Sequence, residues 1–282
     1  MPSLRTPDGR TLAWEERGSG PALLLHPGGP GFAGAPFAEQ PELAAERTLL
    51  VLDQRGTGRS DRPADATAYD LEDYAADIEL VREHLGLDRL NLIGHSFGGL
   101  VAINWAGNHP ERVGHLVLAG AIPRFIDEIR EERVERAMGH RGEPYFDEAM
   151  AALGRQMQGE YSTDDELAQL YATASPLFAP HGVDASEVFD ALRRAGTNAD
   201  AVRHFNERVA PTMDQRELLR RIESATLLIT GDHDPFRHTM DEMASELPNA
   251  STILIPGADH FLMLESEHRP AWSRAVLDFL GP

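Results

Sequence analysis

The sequence predicts an α/β fold: one eight-stranded, mostly parallel sheet flanked by helices, with a helical cap insertion over the C-terminal ends of the strands. Two observations predict it. Short runs rich in Val, Ile and Leu recur, each ending in a Gly, Asp or His cluster and followed by a helical pattern, the signature of βαβ units. Between Ala121 and Ile222 that rhythm stops, and amphipathic helical stretches follow, broken by Gly139, Gly142, Gly159, Pro176, Pro180, Gly196 and Pro211.

The first two strands are expected at residues 3–6 and 11–17, joined across Pro7-Asp8-Gly9-Arg10, whose Pro, Asp and Gly favour a tight turn. Apolar runs place further strands at 21–26, 47–53, 90–95, 114–119, 225–230 and 251–255. Near-continuous apolar strands of this kind belong in a sheet covered on both faces. Helical periodicity falls at about residues 71–86, 97–108, 238–246 and 263–280, long enough for crossovers between parallel strands. The core is thus assigned to residues 1–121 and 223–282, and the helical cap to 122–222. Within the cap, Ile126, Ile129 and Val134 share one helix face, while Glu132 and Arg136 pair four residues apart in the pattern of a solvated charged helix.

Composition excludes several chemistries. The 282 residues carry 26 basic and 46 acidic side chains, a formal charge of −20, and every basic residue is arginine. Without lysine there is no Schiff base, Ser-Lys dyad or phosphate-loop lysine; without cysteine there is no thiol nucleophile, disulfide or thiolate metal site. Any covalent nucleophile must use oxygen. The acidic surface repels phosphate backbones and anionic headgroups, so neither nucleic acid nor membrane is expected as a partner. The first ten residues lack the apolar core of about 7 to 15 residues that a signal peptide needs, and a cytoplasmic location is expected. The histidines show no metal-ligand spacing, and neither metal nor cofactor is expected.

Chemistry concentrates in loops at strand ends. Gly94-His95-Ser96-Phe97-Gly98 sits between an apolar strand and a helical run, the context that G-x-S-x-G requires. A sharp strand-to-helix turn forces the serine into a strained conformation above the sheet, and the flanking glycines let strand and helix approach. Ser96 then stands at a helix N-terminus, where N–H groups and the dipole favour negative charge. His95 is read as structural. A serine nucleophile needs a base oriented by an acid. Gly231-Asp232-His233-Asp234-Pro235 follows the seventh strand, and Pro256-Gly257-Ala258-Asp259-His260-Phe261 follows the eighth. Ser96, Asp234 and His260 fit nucleophile, acid and base, with Asp232 and Asp259 as rival acids. The run from Leu23 to Gly31, Leu-Leu-Leu-His-Pro-Gly-Gly-Pro-Gly, leads from a strand into a loop almost bare of side chains. Main-chain N–H groups there can approach an oxygen that becomes negative during acyl transfer.

Taken together, His26 to Gly31, the run Asp53-Gln54-Arg55-Gly56-Thr57-Gly58-Arg59-Ser60, Gly94 to Gly98 and Gly231 to Asp234 resemble the proline iminopeptidase family of α/β-hydrolases across the whole core. The resemblance implies the α/β-hydrolase fold, with Ser96 as nucleophile, Asp234 as acid, His260 as base, and the N–H groups of Gly29 and Phe97 as oxyanion donors. It implies a serine hydrolase that opens a small ester or amide through an acyl-enzyme, releasing N-terminal proline or another small residue from a small-molecule or short-peptide substrate. The run from Asp53 to Ser60 is read as ordering its loop beside the site. Two features depart from the family pattern. Pro27 separates His26 from Gly28 where His-Gly-Gly-Pro-Gly is common, so Gly29 follows from aligning Gly28 to Gly31. The family's peptidases commonly have a tryptophan-rich cap with a glutamate for the substrate's ammonium, and here no tryptophan lies between Trp105 and Trp272. A carboxylesterase or lactonase on small esters is the alternative, and a non-catalytic ligand receptor on the same fold is a third reading. To bind an ammonium the cap offers Glu128, Glu131, Glu135, Asp147, Glu148 and Glu160, most of them expected to face solvent, with Phe125, Tyr145, Phe146, Tyr161 and Tyr171 to wall a pocket.

Overall fold

The computed structural model describes residues 2–180 and 186–282; residues 1 and 181–185, which fall in the predicted core and cap ranges, lie outside it. Eight strands form where the apolar runs place them: β1 (Ser3–Arg5), β2 (Thr11–Gly18), β3 (Ala22–His26), β4 (Thr48–Leu52), β5 (Leu90–His95), β6 (Val113–Ala119), β7 (Ala225–Gly231) and β8 (Ala250–Ile255). They make one sheet in the order β1-β2-β4-β3-β5-β6-β7-β8. The pairs β1·β2 and β2·β4 are antiparallel, and every later pairing is parallel.

The helices are α1 (Pro41–Ala44), α2 (Leu71–His84), α3 (Phe97–Asn108), α4 (Asp127–Gly139), α5 (Phe146–Met157), α6 (Asp164–Ala174), α7 (Ser186–Ala195), α8 (Ala199–His204), α9 (Arg216–Leu219), α10 (Met240–Glu246) and α11 (Arg269–Leu280). Among the described residues none is long and apolar enough to cross a membrane. Side chains alternate across each strand, so the apolar runs serve two cores at once. Leu23, Leu25, Val51, Ile93 and Val117 pack with Trp272 and Val276 of α11, while Leu24, Leu50, Leu92, Leu116 and Leu118 pack with Val101 and Trp105 of α3. Helices α4 to α9 all lie between β6 and β7, and α5, α6 and α8 share a small apolar cluster around Ala152, Leu167, Leu170 and Val202.

Helix ends depart from the sequence reading where apolar spacing has another cause. The last helix, expected over 263–280, begins only at Arg269, with Pro270 in its first turn. Leu262 and Met263 are fully buried in turns, and the Met263 carbonyl accepts from Gln40 Nε2 at 2.8 Å, so these apolar residues fill the core without continuing the helix. The helix expected over 238–246 becomes a 3-10 turn, Pro235–Thr239, followed by α10.

β5, α3 and the end of β3 approach one another closely. A methyl group at Gly98 would overlap the carbonyl oxygens of His26 and Pro27, and one at Gly94 would lie 2.5 Å from the Gly98 oxygen. Gly98→Ala should therefore destabilise the protein by about 1–3 kcal/mol, the range for overpacking. Gly139→Ala, where added bulk meets nothing within 4 Å, should be neutral or stabilising. Urea unfolding followed by circular dichroism checks both.

Candidate active site

β5 ends at His95 and α3 starts at Phe97, so Ser96 makes the turn alone. It is held at φ 52° and ψ −118°, the only positive φ of a non-glycine residue among those described. Its N–H donates to the Ala119 carbonyl of β6 at 2.8 Å, which ties the turn to the sheet. Ser96 Oγ lies 2.9 Å from His260 Nε2, and His260 Nδ1 lies 2.9 Å from Asp234 Oδ2. An ionised carboxylate only accepts, so Nδ1 carries the proton and the Nε2 lone pair faces the serine hydroxyl. The three side chains come from loops after β5, β7 and β8, brought together by the parallel register.

Asp234 is fully buried. Burial alone raises the pKa of such a carboxyl, but the charge and hydrogen bond of His260, the Thr230 hydroxyl and the Phe236 N–H at 2.9 Å outweigh it and hold it below its usual value. The rival acids are engaged elsewhere. Asp232 accepts from the Gly257 N–H at 2.8 Å, and Asp259 accepts from the His260 N–H at 2.8 Å while pairing with Arg136.

The loop after β3 lies against the serine. Gln54 Nε2 donates to the Gly29 carbonyl at 2.9 Å and the Pro27 carbonyl at 3.3 Å, with the Gly28 carbonyl at 3.5 Å. Asp53 accepts from the Gly34 N–H at 3.1 Å and from Arg59 Nε at 3.0 Å, and Arg55 Nε binds Asp77 at 2.8 Å. The Asp53 to Ser60 run thus orders the glycine loop through contacts of its own side chains. Above the serine opens a cavity of about 1490 Å³, lined by Ser96, His260, Phe97, Phe236 and residues of the helices between β6 and β7. Phe205, in a π-helical turn from Phe205 to Val209, packs edge-on against Phe97 at 5.4 Å and lines the same space.

Comparison with known proteins fixes the family. The description of the alpha/beta hydrolase fold matches residues 21–267. The chain belongs to that family. It is 27% identical over 261 residues to a proline iminopeptidase of Lactiplantibacillus plantarum, covering 87% of each chain. It is also 27% identical over 270 residues to a non-heme haloperoxidase of Rhodococcus erythropolis, covering 92% of this chain and 93% of that protein. Among solved structures, a thermophilic esterase from Thermogutta terrifontis superposes with a TM-score of 0.67 at 26% identity, covering 99% of this chain and 96% of that one.

Several residues of this hydrolase's site carried little or no signal in the sequence. Gly120, at φ 53°, leaves room for the Asp234–His260 pair: a methyl group there would lie 2.9 Å from Asp234 Oδ2 and 3.0 Å from His260 Nδ1. Arg136, expected on a solvated helix face, is largely buried; it pairs with Asp259, donates to the carbonyls of Phe178 and His233, and stands 3.6 Å from Glu132. Glu132 in turn binds Arg237 at 2.8 Å and His238 at 2.6 Å. Of the six acids offered for an ammonium, only Glu128 lines the cavity, and of the five aromatics only Phe125 and Tyr171 do. Tyr161 is buried in the cluster between α5 and α6, and Tyr145 bonds to His140.

Two histidines are buried without charge. His26 is held at a pKa of about 4 by desolvation, against the opposing pull of the Pro27 carbonyl, and His95 at about 3, by desolvation first and then by the neighbouring His260. The His95 Nε2–H donates to the His260 carbonyl at 2.9 Å, so the neutral ring positions the loop. The unfolded chain takes up protons near pH 6.5 that these folded sites refuse, so stability is full above that pH and falls as the pH drops below it. For His26 the loss at pH 5 is about 2 kcal/mol. Urea unfolding at pH 7.5 and 5.0 should show a loss that shrinks by that amount in His26→Gln.

Proposed function

We propose that Ser96, His260 and Asp234 act as a catalytic triad in a serine hydrolase of small esters or amides. The observation that carries this reading is the unbroken hydrogen-bond chain from Ser96 Oγ to Asp234 at the floor of the cavity. Ser96 Oγ attacks the substrate carbonyl carbon as its proton passes to His260 Nε2. Buried Asp234 stabilises the imidazolium that forms. The carbonyl oxygen, now negative, is held by the N–H groups of Gly29 and Phe97, neither of which donates to a protein acceptor among the described residues. Peptides here are trans, and the Gly28 carbonyl turns toward Gln54, so the Gly29 N–H points the other way. Collapse of the intermediate breaks the bond to the leaving group, which takes the proton from His260 and departs, leaving an acyl-serine. Water, giving its proton to His260, then attacks the acyl carbon; the acid leaves and Ser96 regains its proton.

The resemblance to proline iminopeptidases favours release of an N-terminal proline or other small residue. A carboxylesterase or lactonase is the second reading, favoured by the cavity wall, where Glu128 is the only one of the six acids present and Asp127 and Glu242 are already paired with Arg130 and Arg124. An amide nitrogen must be protonated as it leaves, which demands tighter positioning than an alkoxide needs.

A fluorophosphonate should label the wild type at Ser96 and leave Ser96→Ala unlabelled; labelling kept in the variant would overturn the assignment. Asp234→Asn should cut kcat by about 10⁴-fold, and Asp232→Asn should change it little, as steady-state kinetics will show. Prolyl and alanyl arylamides, free and N-acetylated, are to be compared with acetyl and butyryl aryl esters. Turnover of free-amine arylamides that acetylation abolishes supports the aminopeptidase, turnover of esters alone the esterase, and no turnover together with no labelling of Ser96 the receptor.

A further inference from the structure

The cavity wall carries four arginines from one stretch of chain, and three of them are neutralised. Arg124 pairs with Glu242 at 2.9 Å, Arg130 with Asp127 at 2.9 Å, and Arg136 with Asp259. Arg133 has neither a hydrogen bond nor an ion pair to any described residue. It lies on α4 midway between Arg130 and Arg136, at three-residue steps that stack along one helix face. Its side chain is exposed and lines the same cavity as Ser96 and Tyr171. A guanidinium so placed stays charged at neutral pH. A carboxylate held in a bidentate pair gains charge-assisted hydrogen bonds from an unpaired guanidinium that the three paired arginines do not offer. Glu128 shares the cavity but sits five residues away around the helix and makes no ion pair with Arg133.

We propose that the substrate of the Ser96 site carries a carboxylate and that Arg133 binds it, setting specificity for anionic esters or amides. This rests on the hydrolase reading above. The net charge of −20 repels an anion at a distance, so the preference must come from contact inside the cavity and will show mainly in KM.

Two matched pairs test it. On the acyl side, mono-4-nitrophenyl adipate is compared with 4-nitrophenyl methyl adipate, a chain too long for its free carboxylate to attack its own ester readily. On the leaving-group side, 4-carboxyphenyl butyrate is compared with its methyl-capped twin. In at least one pair the wild type should favour the anion by about 10-fold or more in kcat/KM. Arg133→Gln should bring that ratio to near one, and Arg133→Lys should restore part of it. In the wild type, adipate but not adipamide should also slow fluorophosphonate labelling of Ser96, a readout that needs neither turnover nor a folded variant. Neutral esters turning over with ratios near one in both pairs, a ratio unchanged in Arg133→Gln, or equal protection by adipate and adipamide would remove this inference and leave the hydrolase intact. No turnover of any ester together with no labelling of Ser96 would remove the hydrolase reading, and this inference with it.

Discussion

Ser96 sits at positive φ between a strand and a helix, and much of the site follows from what holds it there. Such a conformation costs a residue with a side chain about 1–3 kcal/mol, and it persists only where the surroundings leave no other choice. Here β5 is locked between β3 and β6, the Ser96 N–H is fixed to Ala119, and α3 is buried along nearly its whole length. The missing side chains of Gly94 and Gly98 let these pieces meet. Relaxing the serine would require moving the helix off the sheet, and the apolar contacts of Val101 and Trp105 oppose that.

The same constraint fixes where the partners must stand. A hydroxyl raised above the C-terminal edge of the sheet is met from loops that leave other strands at that same edge, and the loops after β7 and β8, two and three strands away, bring Asp234 and His260 to it. Asp234 stands in a dry position, held by Thr230 and the Phe236 N–H, and its Oδ2 also meets His260 Nδ1. His95 and Gly120 shape the space around His260 from the adjacent strand ends. The helices between β6 and β7 are joined to this floor by Arg136, which reaches Asp259 and the His233 carbonyl, and by Glu132, which reaches Arg237 and His238. The cavity wall and the loops bearing Asp234 and His260 are thus braced by buried or half-buried ion pairs, and Arg133 is left facing the space between them.

The inner strands β3 to β7 were legible because strands covered on both faces need near-continuous Val, Ile and Leu. Glycine and serine at fixed spacing marked the strained turn, and the loops after β7 and β8 offered Asp and His side chains at successive strand ends. Other features were not legible for physical reasons. Leu262 and Met263 carry helical spacing yet are buried in turns, because core filling and helix formation select the same residues. Arg136 reads as a surface charge in any local window, since its partner Asp259 is 123 residues away in sequence. Gly120 is one glycine among 25, and its role depends on two side chains from other strand ends. The choice among Asp232, Asp234 and Asp259 turned on which carboxylate is satisfied elsewhere, which only the folded loops reveal.

The most direct measurement is the site of acyl transfer itself. An aryl dimethylcarbamate reacts by the same attack as an ester but leaves a slowly hydrolysed carbamoyl group, so the covalent species accumulates. After mixing with 4-nitrophenyl dimethylcarbamate, peptide mapping by mass spectrometry should find one dimethylcarbamoyl group, on the peptide containing Ser96, formed in step with release of 4-nitrophenol. Release of 4-nitrophenol with the group on another residue, or with no group attached, would contradict an acyl-enzyme at Ser96.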